Sequence, residues 1–344
     1  MTDAQDTQDT IDERIKLLSY SSRSQLHACP RAYELYKKRS IGEYNDEDVQ
    51  QVEEATFSFG HIVGDGVQEV LKGTPLDKVI LKAFLAFKGD LDYYDDKRQK
   101  SFSLAIVAIQ KFKAALDTGL LRGYELAYYN GEPCCELGFT ISMPDGFKFR
   151  GSIDAVLTNR LTGEIVVLEC KTTSLKSVNP AMYKNSSQAL GYAVVLDALF
   201  PNITSYRVLY LAYLTKTFEY APPISFNKSL TERATWIRDL IIDMEIIKLY
   251  EASGAYPKNG DNCINKYHKT CKFIDVCNLS TKHLTLPINA KEQARLLAEE
   301  AKFPIKLDLM DLITAQQSRE VDAPAEAKIE NYSEALINNT IGDL

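Results

Sequence analysis

An aspartate, a glutamate and a lysine stand close together in the stretch GSIDAVLTNRLTGEIVVLECKTT, Gly151 to Thr173. Asp154 comes first, and Glu169 and Lys171 follow with a single residue between them. Two carboxylates can hold a hard divalent cation through oxygen, and a nearby ammonium can reach a water or a phosphate. The same groups could instead form a cross-strand salt bridge, which contributes little on a sheet surface.

The elements that carry these residues are legible locally. Phe147 to Leu157 has the β-branched and aromatic content of a strand, Arg160 to Gly163 reads as a turn, and Ile165 to Lys171 reads as a second, more apolar strand. Side chains alternate along a strand, so Glu169 and Lys171 share a face from which Cys170 points away. On the partner strand Asp154 shares its parity with Arg150 and Ser152. Ile165-Val-Val-Leu168 is apolar at both parities, as in a strand buried on both faces. Charges at the end of such a strand are costly unless paired or metal-bound, which weighs against the plain salt bridge.

Around this hairpin the pattern predicts a mixed α and β architecture. Cys135 to Met143 alternates as a strand and Pro144-Asp-Gly146 turns it back, giving a three-strand meander. Tyr206 to Leu214 and Lys216 to Tyr220 read as further strands. Helices are expected toward Leu26 (capped by Ser22 or Ser24), from Pro30, over Phe57 to Leu71, over 77–88 and 98–119, over Met182 to Phe200 and over Leu230 to Tyr250. Phe102, Ile106, Ile109, Phe112 and Leu116 form one apolar stripe. Residues 42–54 are acidic and read as a loop. Gly60, Gly64 and Gly66 each weaken their helix by roughly 1 kcal/mol against alanine, which makes sense where something packs close to the backbone. His61 and Asp65 share a face of that helix and are open to two readings, a further metal ligand or ordinary polar residues.

Bulk composition excludes little. At 344 residues, 25% charged and 45% hydrophobic, the chain is ordinary for a globular protein, and no run of 18 apolar residues marks a membrane span. Its acidic, polar start has no signal-peptide core, so a cytoplasmic location is expected. The formal charge is −7, but the acids concentrate at the two ends and leave the body with a small positive excess. Charge therefore neither favours nor excludes a nucleic-acid partner. Seven cysteines in a cytosolic chain argue for metal or cluster ligation over disulfides. Cys263, Cys271 and Cys277 crowd a segment poor in other pattern, and Cys29 is a fourth thiol far away in sequence. Four thiolates can hold a [4Fe–4S] cluster or zinc, and His268 could replace one of them in a zinc site. Cys134, Cys135 and Cys170 are assigned to packing.

With these residues laid out, the chain resembles the PD-(D/E)XK nuclease superfamily, in its RecB-like branch of AddB-type, phage and CRISPR-associated exonucleases. Ser22-x-Ser24-x-Leu26-x-x-Cys29-Pro30-Arg31-x-Tyr33 is similar to the family's N-terminal segment, whose cysteine is the first cluster ligand. Gly151-x-Ile153-Asp154 with Glu169-Cys170-Lys171 resembles its catalytic core, and Gln188-x-x-x-Tyr192 its helical QxxxY motif. The resemblance implies a restriction-endonuclease-like α/β (α+β) core, a mixed central sheet flanked by helices. It implies a single nuclease domain over 15–281, with a helical insertion at about 42–130 and a Cys-rich segment at 256–281. Residues 1–14 are expected to be disordered and 282–344 to form a helical, acidic, partly disordered tail.

By the same resemblance Asp154, Glu169 and the backbone carbonyl of Cys170 would bind Mg²⁺ or Mn²⁺, and Lys171 would orient the attacking water. Gln188 and Tyr192 would line the site and touch the DNA backbone, and Cys29, Cys263, Cys271 and Cys277 would hold the cluster. The implied activity is a DNase acting on ends in recombination, repair or replication, and the rival reading is a degenerate DNA-binding or scaffold subunit. Two features depart from the family pattern. Gly64 takes the place of the helical histidine when Gly60 leads the motif, so that ligand is either replaced by water or supplied by His61 in a shifted reading. Cys263 and Cys271 are separated by seven residues where cluster-bearing relatives have CxxC.

Overall fold

The computed structural model describes residues 12–38, 47–92, 94–200, 206–264, 270–280 and 298–321. Residues 1–11 of the segment expected to be disordered, His268 and, of the tail expected over 282–344, residues 282–297 and 322–344 fall outside these residues; the described part of that tail forms a strand and a helix. In chain order, β1 (Leu17–Ser19), α1 (Tyr20–Ala28), α2 (Pro30–Lys37), α3 (Glu47–Leu71), α4 (Leu76–Ala86) and α5 (Phe102–Asp117) come first. Then follow β2 (Tyr124–Leu126), β3 (Tyr128–Tyr129), β4 (Glu132–Pro133), β5 (Cys135–Ser142), β6 (Lys148–Asn159) and β7 (Ile165–Thr173). The remainder is α6 (Ala181–Lys184), α7 (Ser187–Leu199), β8 (Tyr206–Leu214), β9 (Glu219–Tyr220), β10 (Ile224–Lys228), α8 (Leu230–Ser253), β11 (Ile305–Asp308) and a last helix, α9 (Leu309–Val321). The chain divides into two compact units. The first takes residues 1–44, 138–151 and 237–313, and the second takes 45–137, 152–236 and 314–344.

The second unit is built on a mixed sheet. β6 and β7 pair antiparallel with Ala155 opposite Leu168, β7 and β8 pair parallel with Val167 opposite Val208, and β8 pairs antiparallel with β10. One face of this sheet (Ala155, Leu157, Val166, Leu168, Leu209, Leu211 and Tyr213) shares a core with α3, α4 and α5 through Phe59, Ile62, Val67, Val79, Ala83, Ile109 and Phe112. α7 lies on the other face, where the Tyr206 hydroxyl donates to Leu196 O over 2.9 Å. Buried on both sides, β7 supplies the uninterrupted apolar run that its sequence shows. The parallel β7–β8 pairing needs a crossover, and α7 is that crossover.

α7 is almost wholly buried, and it carries one acid inward. Asp197 is 1% exposed and forms ion pairs with Arg233 (2.8 Å) and Arg319, while Gln316 also donates to it. Removing one partner from such a buried set typically costs about 3–5 kcal/mol, because the remaining charge is left unpaired.

The first unit holds the outer half of the meander. The turn at Pro144–Gly146 returns β5 into β6, with Met143 N donating to Phe147 O at 2.9 Å. β1 runs parallel to the start of β6 (Leu18 opposite Phe149), and β11 runs parallel to β5 (Leu307 opposite Ile141). A capping box at Ser19 and Ser22 starts α1, and the extended Cys29 ahead of Pro30 separates it from α2. Arg23 and His27 both bind Asp243 of α8.

Several boundaries differ from the sequence expectation. Ser19, rather than Ser22 or Ser24, caps α1. α5 is shorter at both ends than 98–119, and the strand expected over Lys216 to Tyr220 is confined to Glu219–Tyr220 behind a turn. α3 begins at Glu47, inside the acidic stretch read as a loop. Acids are favoured at a helix N-terminus by the macrodipole, so acid content alone does not mark a loop. The expected helix over Met182 to Phe200 is two, parted at Asn185 and Ser186.

The glycines of α3 play unequal parts. A Cβ on Gly66 would fall 2.4 Å from Ile109 Cδ1, whereas one on Gly64 would meet nothing within 4 Å. Gly64→Ala should therefore stabilise the fold by up to about 1 kcal/mol through helix propensity. Gly66→Ala should destabilise it by about 1–3 kcal/mol through overpacking against Ile109. Urea unfolding of the two variants checks the opposite signs.

Candidate active site

The second unit brings four of the expected residues into one connected cluster. The Lys171 ammonium bonds to Glu169 Oε1 and also donates to Gln188 Oε1 at 3.1 Å. Gln188 Nε2 donates in turn to the Tyr192 hydroxyl, one helical turn along α7. Strand parity puts Glu169 and Lys171 on the α7 side of β7, and the i, i+4 spacing puts Gln188 and Tyr192 on the side of α7 that meets them. Glu169 is 2% exposed, while the Lys171 side chain keeps 34% of its surface in solvent. The carboxylate is thus enclosed and the ammonium reaches the surface.

Asp154 joins from β6, where its Oδ2 accepts from the backbone N–H of Cys170 over 2.9 Å. The aligned pairing of the two strands reaches Ala155 opposite Leu168, so Asp154 lies just beyond it, next to Glu169. Burial and the neighbouring Glu169 charge push the Asp154 carboxyl up to about 8. Burial also raises Glu169, against the pull of Lys171. For Lys171 burial works downward, but the Glu169 charge outweighs it and the ammonium is held above its ordinary range. Two enclosed carboxylates share one ammonium, an imbalance that a divalent cation would correct.

The donor set suits a hard cation. Glu169 Oε2 is buried and lacks a hydrogen bond of ordinary geometry among the described residues, although the Tyr192 hydroxyl lies near enough to lower the carboxyl as a hydrogen-bond donor. No third His, Cys, Asp or Glu closes a ligating group among the described residues. Asp154 and Glu169 supply neighbouring carboxylate oxygens of the kind that an ion could take, with water completing its shell.

His61 is exposed on α3, and no hydrogen bond or ion pair among the described residues joins it to Asp154 or Glu169. Glu136 is a neighbour that sequence reasoning missed. Its charge raises Asp154, Glu169 and Asp65, and its carboxylate accepts from Gln68 Nε2 (2.6 Å) and Ser152 Oγ (2.8 Å). The adjoining Gln68 and Asp65 stand on the glycine-rich helix, whose glycines drew attention, but nothing in the β5 pattern singled out Glu136.

The first unit brings the other set into one neighbourhood, but no three of these thiols close into a ligating group among the described residues. Cys29 lies at the break between α1 and α2, and it packs with Cys271 and Val276 around Ala32, Leu35 and Phe273. Cys29 and Cys271 lie near enough to Cys277 to raise its thiol, after burial as the first cause. Cys271 N donates to Cys263 O at 2.7 Å, which brings the fourth cysteine alongside by its backbone. Cys134 and Cys135 are pushed by burial to about 11 and about 12, and Cys170 is also raised by burial, the state of packed, unreactive thiols.

A pH dependence follows from Asp154. An acid whose folded pKa lies far above its unfolded value near 4 keeps its proton in the native state while the unfolded chain loses it. In metal-free buffer, stability should therefore fall as pH rises from about 4 to about 8. Asp154→Asn should flatten that decline, as thermal unfolding across the pH series will show.

Comparison with known proteins places this geometry. Residues 17–278 match the family model of the PD-(D/E)XK nuclease superfamily. No curated protein sequence matches the chain. Among solved structures, one from Eubacterium rectale, provisionally named an exonuclease, superposes with a TM-score of 0.44 at 12% identity, covering 78% of this chain and 94% of its own. Another, designated SSO0001, gives a TM-score of 0.26 at 18% identity, covering 60% of this chain and 94% of its own. Scores below 0.5 add nothing to the fold or the function. The family match spans the whole cluster of Asp154, Glu169, Lys171, Gln188 and Tyr192 on a mixed sheet flanked by helices, and the chain belongs to the PD-(D/E)XK nuclease superfamily.

Proposed function

We propose that this chain is a metal-dependent deoxyribonuclease that hydrolyses phosphodiester bonds and works from DNA ends. The observation that carries this reading is the Lys171 ammonium held between Glu169 and Gln188, beside a second enclosed carboxyl on Asp154. Hydrolysis of a phosphodiester needs an in-line water, a cation on a non-bridging oxygen and positive charge near the developing one. Mg²⁺ or Mn²⁺ held by Asp154, Glu169 and the Cys170 carbonyl would supply the Lewis acid. Lys171 aims its ammonium at the water and at the charge that builds on phosphorus-bound oxygen. Gln188 fixes the direction of that ammonium, and Tyr192 fixes Gln188. The preference for ends, and for recombination, repair or replication as the setting, comes from the likeness to the RecB-like branch.

A second reading is a catalytically degenerate DNA-binding subunit. It is favoured by Gly64 at the place of the helical histidine and by the exposure of His61. The four cysteines Cys29, Cys263, Cys271 and Cys277 would hold a [4Fe–4S] cluster or zinc in either case. Their support is the thiol neighbourhood of Cys29, Cys271 and Cys277. No described helix is long and apolar enough to cross a membrane.

A time course on end-labelled duplex and single-stranded DNA with Mg²⁺ or Mn²⁺ tests the leading reading. Glu169→Gln and Lys171→Met should each lower the rate by at least about 10²-fold with the fold intact. Binding of linear and circular DNA without loss of nucleotides in the unaltered protein would instead select the degenerate subunit. For the cysteines, anaerobically purified protein should show visible absorption that Cys277→Ser diminishes. A colourless protein containing stoichiometric zinc would replace the cluster with the other metal.

A further inference from the structure

The first unit carries a concentration of positive charge that the hydrolytic cluster does not use. Lys148 Nζ, Arg150 Nη2 and Lys306 Nζ lie 3.8, 3.6 and 3.7 Å from the same oxygen, Glu300 Oε1. Each separation exceeds hydrogen-bond length, so three cations share one carboxylate oxygen loosely and none is saturated by it. Lys148 and Lys306 expose 45% and 51% of their side chains. The patch is open to solvent.

Arg150 is different. It is 8% exposed, its guanidinium rests 5.3 Å from the centroid of the Phe303 ring, and its buried Nε has no hydrogen-bond partner among the described residues. A fixed, partly desolvated guanidinium with an unmade bond suits a phosphate, whose oxygens match its planar fork. Lys37 adds a fourth positive group near Arg150, with its ammonium bonded to Leu17 O. Glu300 lies within 4 Å of three of these cations, and Glu299 acts on Lys37.

We propose that Lys148, Arg150 and Lys306 form a phosphate-binding patch that grips the backbone of the nucleic-acid substrate. The choice of a nucleic-acid partner rests on the nuclease reading above. A chain of formal charge −7 meets a polyanion only where its charge is locally reversed, and these residues reverse it. A simple structural salt bridge would pair one cation with one acid at contact distance. Here the acid is outnumbered, and the best-buried cation has a nitrogen to spare.

The test is equilibrium binding of a short labelled DNA duplex to the full chain in EDTA, over a salt series, by fluorescence anisotropy. In the doubly substituted Lys148→Ala, Lys306→Ala protein, affinity at low salt should fall about tenfold or more. The slope of log affinity against log salt should shrink by about 0.9 for each phosphate that the protein no longer neutralises. Arg150→Lys should keep the slope and Arg150→Gln should reduce it. The exposed lysine pair decides the matter if Arg150→Gln fails to fold. Unchanged affinity and slope in the lysine pair overturn the proposal. Because binding is read without metal, the two readings fail separately. Lysine-dependent binding with no cleavage in Mg²⁺ keeps the patch and sinks the nuclease, whereas cleavage with an unaltered salt slope does the reverse.

Discussion

Glu169 sits at the end of a strand that both faces of the sheet cover, and the Lys171–Glu169 pair is what makes that position tenable. A lone carboxylate there would be neutralised by its surroundings. Lys171 opposes the upward push of burial on Glu169, yet it bonds only one of two neighbouring acids. Asp154 takes up the remaining strain by holding a proton. The rest of the second unit follows from this arrangement. The strand needs helices on both sides to be buried, and the helix on the acidic side must offer polar groups, Gln188 and Tyr192, where it meets the ammonium.

The sequence was most readable where local pattern and tertiary role coincide. The hairpin carrying Asp154 and Glu169 announced itself through the unbroken apolar run of β7 and the turn at Gly163, and α5 through its stripe of Ile109 and Phe112. Strand alternation also gave the facing of Glu169, Lys171 and Cys170 correctly. β1, β10 and β11 were not legible, being three to five residues long with no periodicity to separate them from loop. α9 was hidden for another reason. Its buried Leu309, Leu312 and Ile313 are few among polar residues, and its second half is held by the distant Asp197, a partner no local window reveals.

The candidate site shows the same division. Asp154, Glu169 and Lys171 lie within eighteen residues of chain, so their chemistry could be read directly. Glu136 could not, because it enters through a backbone excursion, a positive φ of 48° at the beginning of β5, which strand periodicity does not foresee. The three glycines of α3 were read as one feature and turn out to be several. Gly66 accommodates Ile109, while Gly64 simply leaves room.

The charge set at Asp197 also bears on the order in which the protein can be completed. During synthesis from the N-terminus, Asp197 and Arg233 emerge well before Gln316 and Arg319. A nascent chain that stops short of α9 has Asp197 with one of these three partners, on the same helix that presents Gln188 and Tyr192. The last helix thus completes the charge set on α7. A product released before residue 316 would leave Asp197 facing Arg233 without its two later partners, a buried acid only partly compensated.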